Sequence, residues 1–142
     1  TDADVRAMAV YLTGLPPIEP SPQQAMSDAD RLAGETLYTI HCGTCHLPTG
    51  LGSAVGSVLG SDLGPPLAGS AVVQAPDPAT LINVIMYVSE VVSPVPPKGW
   101  KSMKAFGDVL DDDEIATLAS YLRASWGNRG GRVSAADVAR QR

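Results

Sequence analysis

The cysteines of this chain and the histidine beside them constrain its fold more than any other feature. Both cysteines of the 142-residue sequence lie in the run Cys42-Gly43-Thr44-Cys45-His46. Two thiols three positions apart at a helix end can reach the two vinyl groups of one porphyrin, and the adjacent imidazole can then point at the iron. The pattern C-x-x-C-H therefore predicts one haem c, bound covalently through Cys42 and Cys45, with His46 as an iron ligand.

Three other interpretations of these residues stay open at this point. A redox-active cysteine pair is expected next to a β-α-β pattern, which the sequence lacks. A zinc site would need a fourth ligand, and the one other histidine is His41. The third alternative is a chance match, because motifs of five residues recur. The helical and loop-rich pattern of the remaining chain favours haem.

Apolar residues recur at helical spacing in four segments, and no segment alternates as a strand would. The predicted helices span residues 2–13, 28–41, 79–89 and 112–125, with a weaker pattern for a short helix after Ser134. All 12 prolines lie between these helices, so residues 47–77 and 93–107 are predicted as long loops. A large apolar cofactor would give such loops the order that secondary structure does not. The predicted class is all-α.

Composition excludes several classes of partner. The formal net charge of −5 argues against nucleic acid. No run of about 18 apolar residues occurs, so no membrane span is predicted in this chain. The first residues lack the basic and apolar regions of a signal peptide, and we expect any export signal or anchor to have been cleaved or to lie outside this chain.

A haem iron held by His46 needs a second axial donor. The candidates are Met8, Met26, Met86, Met103 and His41. His41 is too close to His46 in sequence to reach the opposite haem face easily, and Met86 lies in an apolar helical run typical of a core. Met103 lies in a loop that can carry its thioether across the haem, and a His/Met pair is usual for electron transfer. We therefore predict His46 and Met103 as the metal ligands.

Trp100 lies in the same predicted loop as Met103. Its indole N–H can donate a hydrogen bond to a haem propionate, or its ring can simply cover the haem. The residues favour neither role over the other, and Trp100 is predicted as a cofactor-binding residue in either case.

Further residues resemble those of class I cytochromes c. The matching positions are Gly34, Tyr38 and Cys42, spaced by four as in the first helix of that family, the segment Gly64-Pro65-Pro66-Leu67, which is similar to its G-P-x-L segment, and the pair Leu118 and Tyr121 on the last helix. The resemblance covers about residues 27–126. It implies a class I cytochrome c fold, with three to five helices around one covalently bound haem and long Gly/Pro-rich loops.

The same resemblance implies roles for individual residues. The carbonyl of Pro65 would accept a hydrogen bond from the ring of His46 and fix its orientation. Leu67 and Phe106 would also belong to the cofactor-binding site. The last helix would cross the first near Gly34.

A narrower resemblance covers the second half of the chain. The segments 103–107, 113–116, 121–128 and 133–138 look like the last haem domain of the three-haem cytochrome subunits of membrane-bound bacterial dehydrogenases for alcohols, gluconate, fructose or glucose. Lys104 departs from that pattern, which has proline there, and the chain lacks the first two haem motifs. A complete multi-haem subunit is therefore excluded, whereas a fragment or a single-haem relative is not.

This resemblance implies an electron-transfer protein or a subunit of an oxidoreductase complex, and not an enzyme by itself. Electrons would pass from a dehydrogenase catalytic subunit to quinone, another haem or a terminal acceptor such as an oxidase. The location would be the periplasm or the periplasmic face of the bacterial inner membrane. The alternatives are a free-standing soluble shuttle with one haem, and a haem peroxidase or ligand-binding haem protein with an open sixth position.

An internal repeat predicts how the chain is organised. Residues 4–12 align with residues 114–122 at a constant offset of 110 positions, which is about the length of one such haem domain. The alternative is that any two amphipathic helices share this pattern. The repeat gives four predicted units: residues 1–14 as the end of a preceding haem domain, 15–26 as a proline-rich linker, 27–126 as the haem domain, and 127–142 as a C-terminal tail.

Overall fold

The structure is a computed structural model that describes residues 1–16, 25–55, 63–87 and 102–142. Within these ranges the helices are α1 (Asp2–Thr13), α2 (Asp28–His41), α3 (Gly43–His46), α4 (Ala71–Gln74), α5 (Ala79–Met86), α6 (Asp112–Ala124) and α7 (Ala135–Ala139), with a 3-10 turn at Gly52–Val55. None of the described residues belongs to a β-strand. The predicted all-α class is confirmed.

The predicted third helix was too long. It was expected to reach residue 89, but α5 ends at Met86, and Tyr87 takes an extended conformation (φ −115°, ψ 160°). The cause lies in a distant segment. The N–H groups of Phe106 and Gly107 donate to the carbonyls of Ile85 and Met86, both at 3.0 Å, so a distant backbone occupies the last acceptors of the helix. Apolar spacing carries no information about such a contact.

The crossing of α2 and α6 is the centre of the fold. At Gly34 a Cβ atom would lie 2.5 Å from the Cβ of Tyr121 and 3.2 Å from the carbonyl oxygen of Thr117. A glycine at this position is what allows the two helices to come so close. The apolar face of α6 is buried here, and Leu118 has no exposed surface. The predicted crossing near Gly34 is therefore confirmed.

Local signals fix the beginnings of these helices. Ser27 caps α2 through its hydroxyl, and Asp111 and Glu114 form a reciprocal capping box at the start of α6. Residues 127–142 pack on α5 and α6, with Val133 and Val138 buried. Helices α2, α5 and α6 and this segment contribute to one hydrophobic core.

α1 differs from every other described helix. All of its residues are exposed, and it contacts none of the other described helices. A capping box between Thr1 and Asp4 defines its start, so the helix has its own local signals, although no other helix of the described ranges packs against it. Among the described residues, no helix combines the length and the apolar character needed to cross a membrane.

Candidate functional site

The motif residues lie on two successive helices. α2 ends at His41, and Cys42 donates its N–H to the carbonyl of Tyr38 at 2.8 Å. The chain then turns into α3, where the N–H groups of Cys45 and His46 donate to the carbonyl of Cys42 at 3.1 and 2.9 Å. This single turn brings both thiols and the imidazole together. Cys42 is buried and Cys45 is exposed, and both are free thiols.

The imidazole of His46 is oriented by a backbone carbonyl. Its Nδ1 lies 2.8 Å from the carbonyl oxygen of Pro65. A carbonyl can only accept, so Nδ1 carries the proton and Nε2 presents a lone pair. The ring is buried, which lowers the pKa of His46, while the hydrogen bond to Pro65 acts in the opposite direction. The result is a neutral ring with one nitrogen available to a metal.

Gly64 fixes the position of the same ring from one side. A Cβ atom on Gly64 would lie 2.6 Å from Cε1 of His46, so any other residue would displace the imidazole. Gly64 is itself held at both ends, because its N–H donates to Cys45 at 2.9 Å and its carbonyl accepts from Ser53 at 2.8 Å. The segment that carries Pro65 is thus attached directly to the motif.

The two cysteine side chains differ in burial. Burial is the main reason that the pKa of Cys42 rises to about 11, and the nearby Cys45 adds to the increase. Cys42 therefore lies inside the core, while Cys45 lies at its edge. Among the described residues, no group of three or more His, Cys, Asp or Glu side chains could hold a metal ion.

An aromatic cluster supports the loop that follows His46. Leu47 has a positive φ of 62°, which is strained for a residue with a side chain. The hydroxyl of Tyr38 donates to the Leu47 carbonyl, and the indole of Trp126 donates to the Pro48 carbonyl at 3.1 Å. The rings of Tyr38 and Trp126 lie 4.9 Å apart. These contacts hold the strained turn against α6.

Asn128 holds the next loop, two residues beyond Pro65. Its side-chain amide donates to the carbonyls of Leu67 at 3.0 Å and Leu122 at 2.9 Å, and its oxygen accepts from the N–H of Gly69 at 2.9 Å. One buried side chain thereby connects the segment after Pro65 to the end of α6.

Sequence reasoning gave no role to Trp126 or Asn128, although both stand in the segment 121–128 that resembles the cytochrome subunits. The signal that could have found them is the run Trp126-Gly127-Asn128 itself. A large aromatic residue followed by glycine and asparagine directly after a helix is typical of a structured turn. Their partners are distant in sequence, so only the structure identifies them.

Of the remaining predicted site residues, Phe106 lies at the end of α5, where its N–H donates to the carbonyl of Ile85. Met103 is half-buried, and the ring of Phe106 lies 5.4 Å from that of His41, next to Cys42. Leu67 packs against the core. The structure brings Cys42, Cys45, His46, Pro65 and Leu67 into one neighbourhood, and Phe106 borders it. Trp100 lies outside the described residues.

The donor set fits a covalently attached haem. Two free thiols sit one turn apart, and a neutral imidazole beside them has its Nδ1 occupied and its Nε2 available. When bound, a haem supplies a one-electron couple between ferric and ferrous iron. Fold and site together define a c-type cytochrome. The chain belongs to the family described as cytochrome C oxidase, cbb3-type, subunit III, which matches residues 29–122.

Curated relatives place the chain among cytochrome subunits. It is 35% identical over its whole length to the cytochrome c subunit of quinone alcohol dehydrogenase from Gluconacetobacter polyoxogenes and covers 31% of that subunit. It is 29% identical to the subunit of the same name from Gluconobacter oxydans (strain 621H), covering 30% of it. It is 30% identical, over 98% of its length, to the gluconate 2-dehydrogenase cytochrome c subunit of Pantoea cypripedii, covering 33% of that protein.

The chain therefore spans about a third of the length of the relatives it matches. Its family carries covalently bound haem c, and the chain is an electron-transfer protein. The predicted class and the predicted resemblance to dehydrogenase cytochrome subunits are confirmed.

Proposed function

We propose that this chain holds one haem c through thioether bonds from Cys42 and Cys45, and that His46 and Met103 ligate its iron. The observation that carries the proposal is the hydrogen bond from Nδ1 of His46 to the Pro65 carbonyl at 2.8 Å. It fixes the tautomer in which Nε2 can bind iron and makes the ring a stronger donor. Each thiol adds its sulfur to one vinyl group of the porphyrin.

Other residues of this chain would shape the surroundings of that haem. Leu67 and Phe106 would line the haem with apolar surface and limit the access of water to the iron, which would influence its reduction potential. Trp100 would cover the haem or donate to a propionate. The contact between Phe106 and His41 at 5.4 Å supports a position of Phe106 next to the attachment motif.

Paired methionine variants of the haem-loaded protein test the ligand assignment. Met103→Ala should abolish the long-wavelength absorption band of Met-ligated ferric haem. Met26→Ala is the matched control, because Met26 is also half-buried but lies in a pocket formed by α6 and the segment 132–137. Retention of the band in Met103→Ala would contradict the assignment. An unaltered protein that lacks the band and binds cyanide readily would instead favour the peroxidase or ligand-binding alternative.

The same haem would relay electrons within a dehydrogenase complex. The electrons would come from a catalytic subunit that oxidises an alcohol or a sugar acid, and would leave to quinone, another haem or a terminal oxidase. The names of the relatives from Gluconacetobacter polyoxogenes and Pantoea cypripedii support this role. The location would be the periplasm or the periplasmic face of the inner membrane.

Rapid mixing distinguishes this role from that of a free shuttle. The oxidised haem protein is mixed with the substrate-reduced catalytic subunit of a quinone alcohol dehydrogenase, and haem reduction is followed by absorbance. A dedicated relay should be reduced at a rate that saturates with catalytic subunit concentration, because a complex forms first. Reduction no faster than that of an unrelated mono-haem cytochrome would contradict the proposal and favour the shuttle.

The organisation of the chain is part of this proposal: residues 1–14 would close a preceding haem domain, and residues 15–26 would link it to the haem domain at 27–126. Burial supports the alignment of α1 with α6. In α1, Val5, Met8 and Leu12 are exposed by 62%, 60% and 63%. Their counterparts in α6 are Ile115, Leu118 and Leu122, exposed by at most 3%. The same apolar pattern is therefore buried in α6 and exposed in α1. Exposure of this face is expected for a helix whose packing partner belongs to another domain.

Two charge substitutions in the complete natural protein test this organisation. Met8→Asp should lower the thermal stability of the preceding domain, because its counterpart Leu118 is fully buried. Ala3→Asp should leave that stability unchanged, because its counterpart Asp113 is exposed. Equal thermal stability of the two variants would contradict the repeat. A gene without a further C-x-x-C-H motif upstream of α1 would contradict it as well.

A further inference from the structure

Arg142 contacts the turn that follows Met103. Its guanidinium donates from Nη1 to the carbonyl of Gly107 at 2.6 Å and from Nη2 to the carbonyl of Leu110 at 3.0 Å. Its Nε donates to the carboxylate of Asp112 at 2.5 Å. Three nitrogens of one planar group therefore hold the turn at residues 106–110 and the first residue of α6.

The preceding residue holds the end of α5. The hydroxyl of Tyr87 donates to the carbonyl of Gln141 at 2.7 Å, and the side-chain amide of Asn83 donates to Oε1 of Gln141 at 2.9 Å. Gln141 and Arg142, which we call the 141–142 latch, thus connect the point where α5 ends to the turn after Met103. α7 anchors the latch, because Val138 is fully buried and the N–H of Gln141 donates to its carbonyl at 2.8 Å.

Among the described residues, two backbone hydrogen bonds hold that turn to α5. The N–H groups of Phe106 and Gly107 donate to Ile85 and Met86, and a Cβ atom on Gly107 would lie 2.9 Å from the Met86 carbonyl. Met103 is three residues before Phe106, so a separation of the turn from α5 can carry Met103 with it. The latch adds five hydrogen bonds across this junction.

We propose that the 141–142 latch is a positioning device for Met103. The inference rests on the proposed ligation of the haem iron by Met103 and adds the residues that keep this ligand in place. Separation of the turn from α5 would withdraw Met103 from a bound haem iron and leave room there for an added ligand. The apparent affinity for an added ligand then rises in proportion to the fraction of molecules in this open state. The latch lowers that fraction.

Imidazole binding to the ferric haem-loaded protein tests the proposal. Arg142→Ala removes three of the latch bonds, and Tyr87→Phe removes one without altering packing. Arg140→Ala is the matched control, because Arg140 is two positions away, is exposed, and pairs with Asp137 inside α7. We expect Arg142→Ala to bind imidazole about two- to fivefold more tightly than the unaltered protein, as follows from losing a partly exposed charged contact. The imidazole affinity of Arg142→Lys should lie between those of Arg142→Ala and the unaltered protein, because an ammonium group keeps the charge but lacks the planar guanidinium fork.

Three measurements separate the outcomes. Urea unfolding of each variant shows whether a change in imidazole affinity exceeds what global destabilisation would produce. Unchanged affinity in both Arg142→Ala and Tyr87→Phe, in a protein that shows the Met–iron band, would overturn the latch and leave the ligand assignment intact. Equal increases in Arg142→Ala and Arg140→Ala would also overturn it. An unaltered protein without the band would overturn the assignment of Met103 and the latch with it.

Discussion

Gly34→Ala is the substitution whose effect the structure determines most directly. Gly34 lies in the middle of α2, where the helix crosses α6. The added methyl group would meet the Cβ of Tyr121 and the carbonyl oxygen of Thr117. Neither atom can move by rotating a side chain, because both are fixed by the backbone of α6. The helices must therefore separate.

The size of the effect follows from two opposing contributions. Ordinary contact begins at 3.4 Å and the Cβ would lie at 2.5 Å, so the gap must widen by about 0.9 Å. A gap of that size removes roughly a quarter to a half of the dispersion energy of the atoms that line it, and overpacking of this kind costs about 3 kcal/mol. Replacing glycine by alanine inside a helix stabilises the helix by about 1 kcal/mol. We expect a net loss of about 2 kcal/mol in the free energy of unfolding.

Urea unfolding of the haem-loaded protein, followed by far-ultraviolet circular dichroism, measures this loss as a lower midpoint at unchanged slope. Gly43→Ala is the control. Its Cβ would lie 3.6 Å from the Tyr38 carbonyl, in ordinary contact, so stability should be retained or slightly increased. A midpoint for Gly34→Ala equal to that of the unaltered protein, or above it, would refute the reasoning that the close crossing requires glycine.

Three further predictions concern the residues that support the site. Asn128→Ala should lower the free energy of unfolding by about 1–3 kcal/mol, because the buried Leu122 carbonyl and the less buried groups of Leu67 and Gly69 lose their partner; a urea midpoint unchanged from that of the unaltered protein would contradict it. Gly50→Ala should cost about 2 kcal/mol or more in the same assay, since Gly50 has φ +66° and its Cβ would lie 2.5 Å from the ring of Trp126. The pKa of Asp137 is lowered from 3.8, first by the hydroxyl of Ser134, so the stability it contributes is present above this value and is lost as the pH falls through the lowered pKa. The stability difference between Asp137→Asn and the unaltered protein should therefore shrink on acidification, and a difference that is constant with pH would exclude this cause.

The helices were predictable because their signals are local. The apolar period of α2 and α6, the capping hydroxyl of Ser27 and the acidic residues at 111–114 all lie within or next to the helix they define. The haem-attachment motif was equally predictable, since the spacing of its two cysteines and its histidine is sufficient to indicate haem binding. The contact between His46 and Pro65 came from resemblance to a family, and the structure contains it.

The parts that sequence reasoning missed depend on distant partners. The end of α5 is decided by Phe106 and Gly107, about 20 residues further along the chain. Asn128 binds Gly69 across 59 positions, and nothing in the neighbourhood of either residue indicates the pairing. The positive φ of 53° at Trp126 could not be predicted from the sequence either, because an aromatic residue adopts such a conformation only when surrounding contacts enforce it. The iron ligand role of Met103 and the role of Trp100 stay predictions.

The loops of this protein draw their order from side chains as well as from any cofactor. Proline has no N–H, so proline-rich loops contain more carbonyl acceptors than backbone donors. Side-chain donors reach the excess carbonyls: Tyr38 to Leu47, Trp126 to Pro48, Asn128 to Leu67, Arg123 to Val73, Ala75 and Gly131, and Arg142 to Gly107 and Leu110. All of these donors except Tyr38 lie in α6 or after it. The sequence alone suggested that a large apolar cofactor would have to order the loops. The described loops also have a protein source of order, because donors in α6 or after it hold the loop that follows Pro65 and the turn that follows Met103.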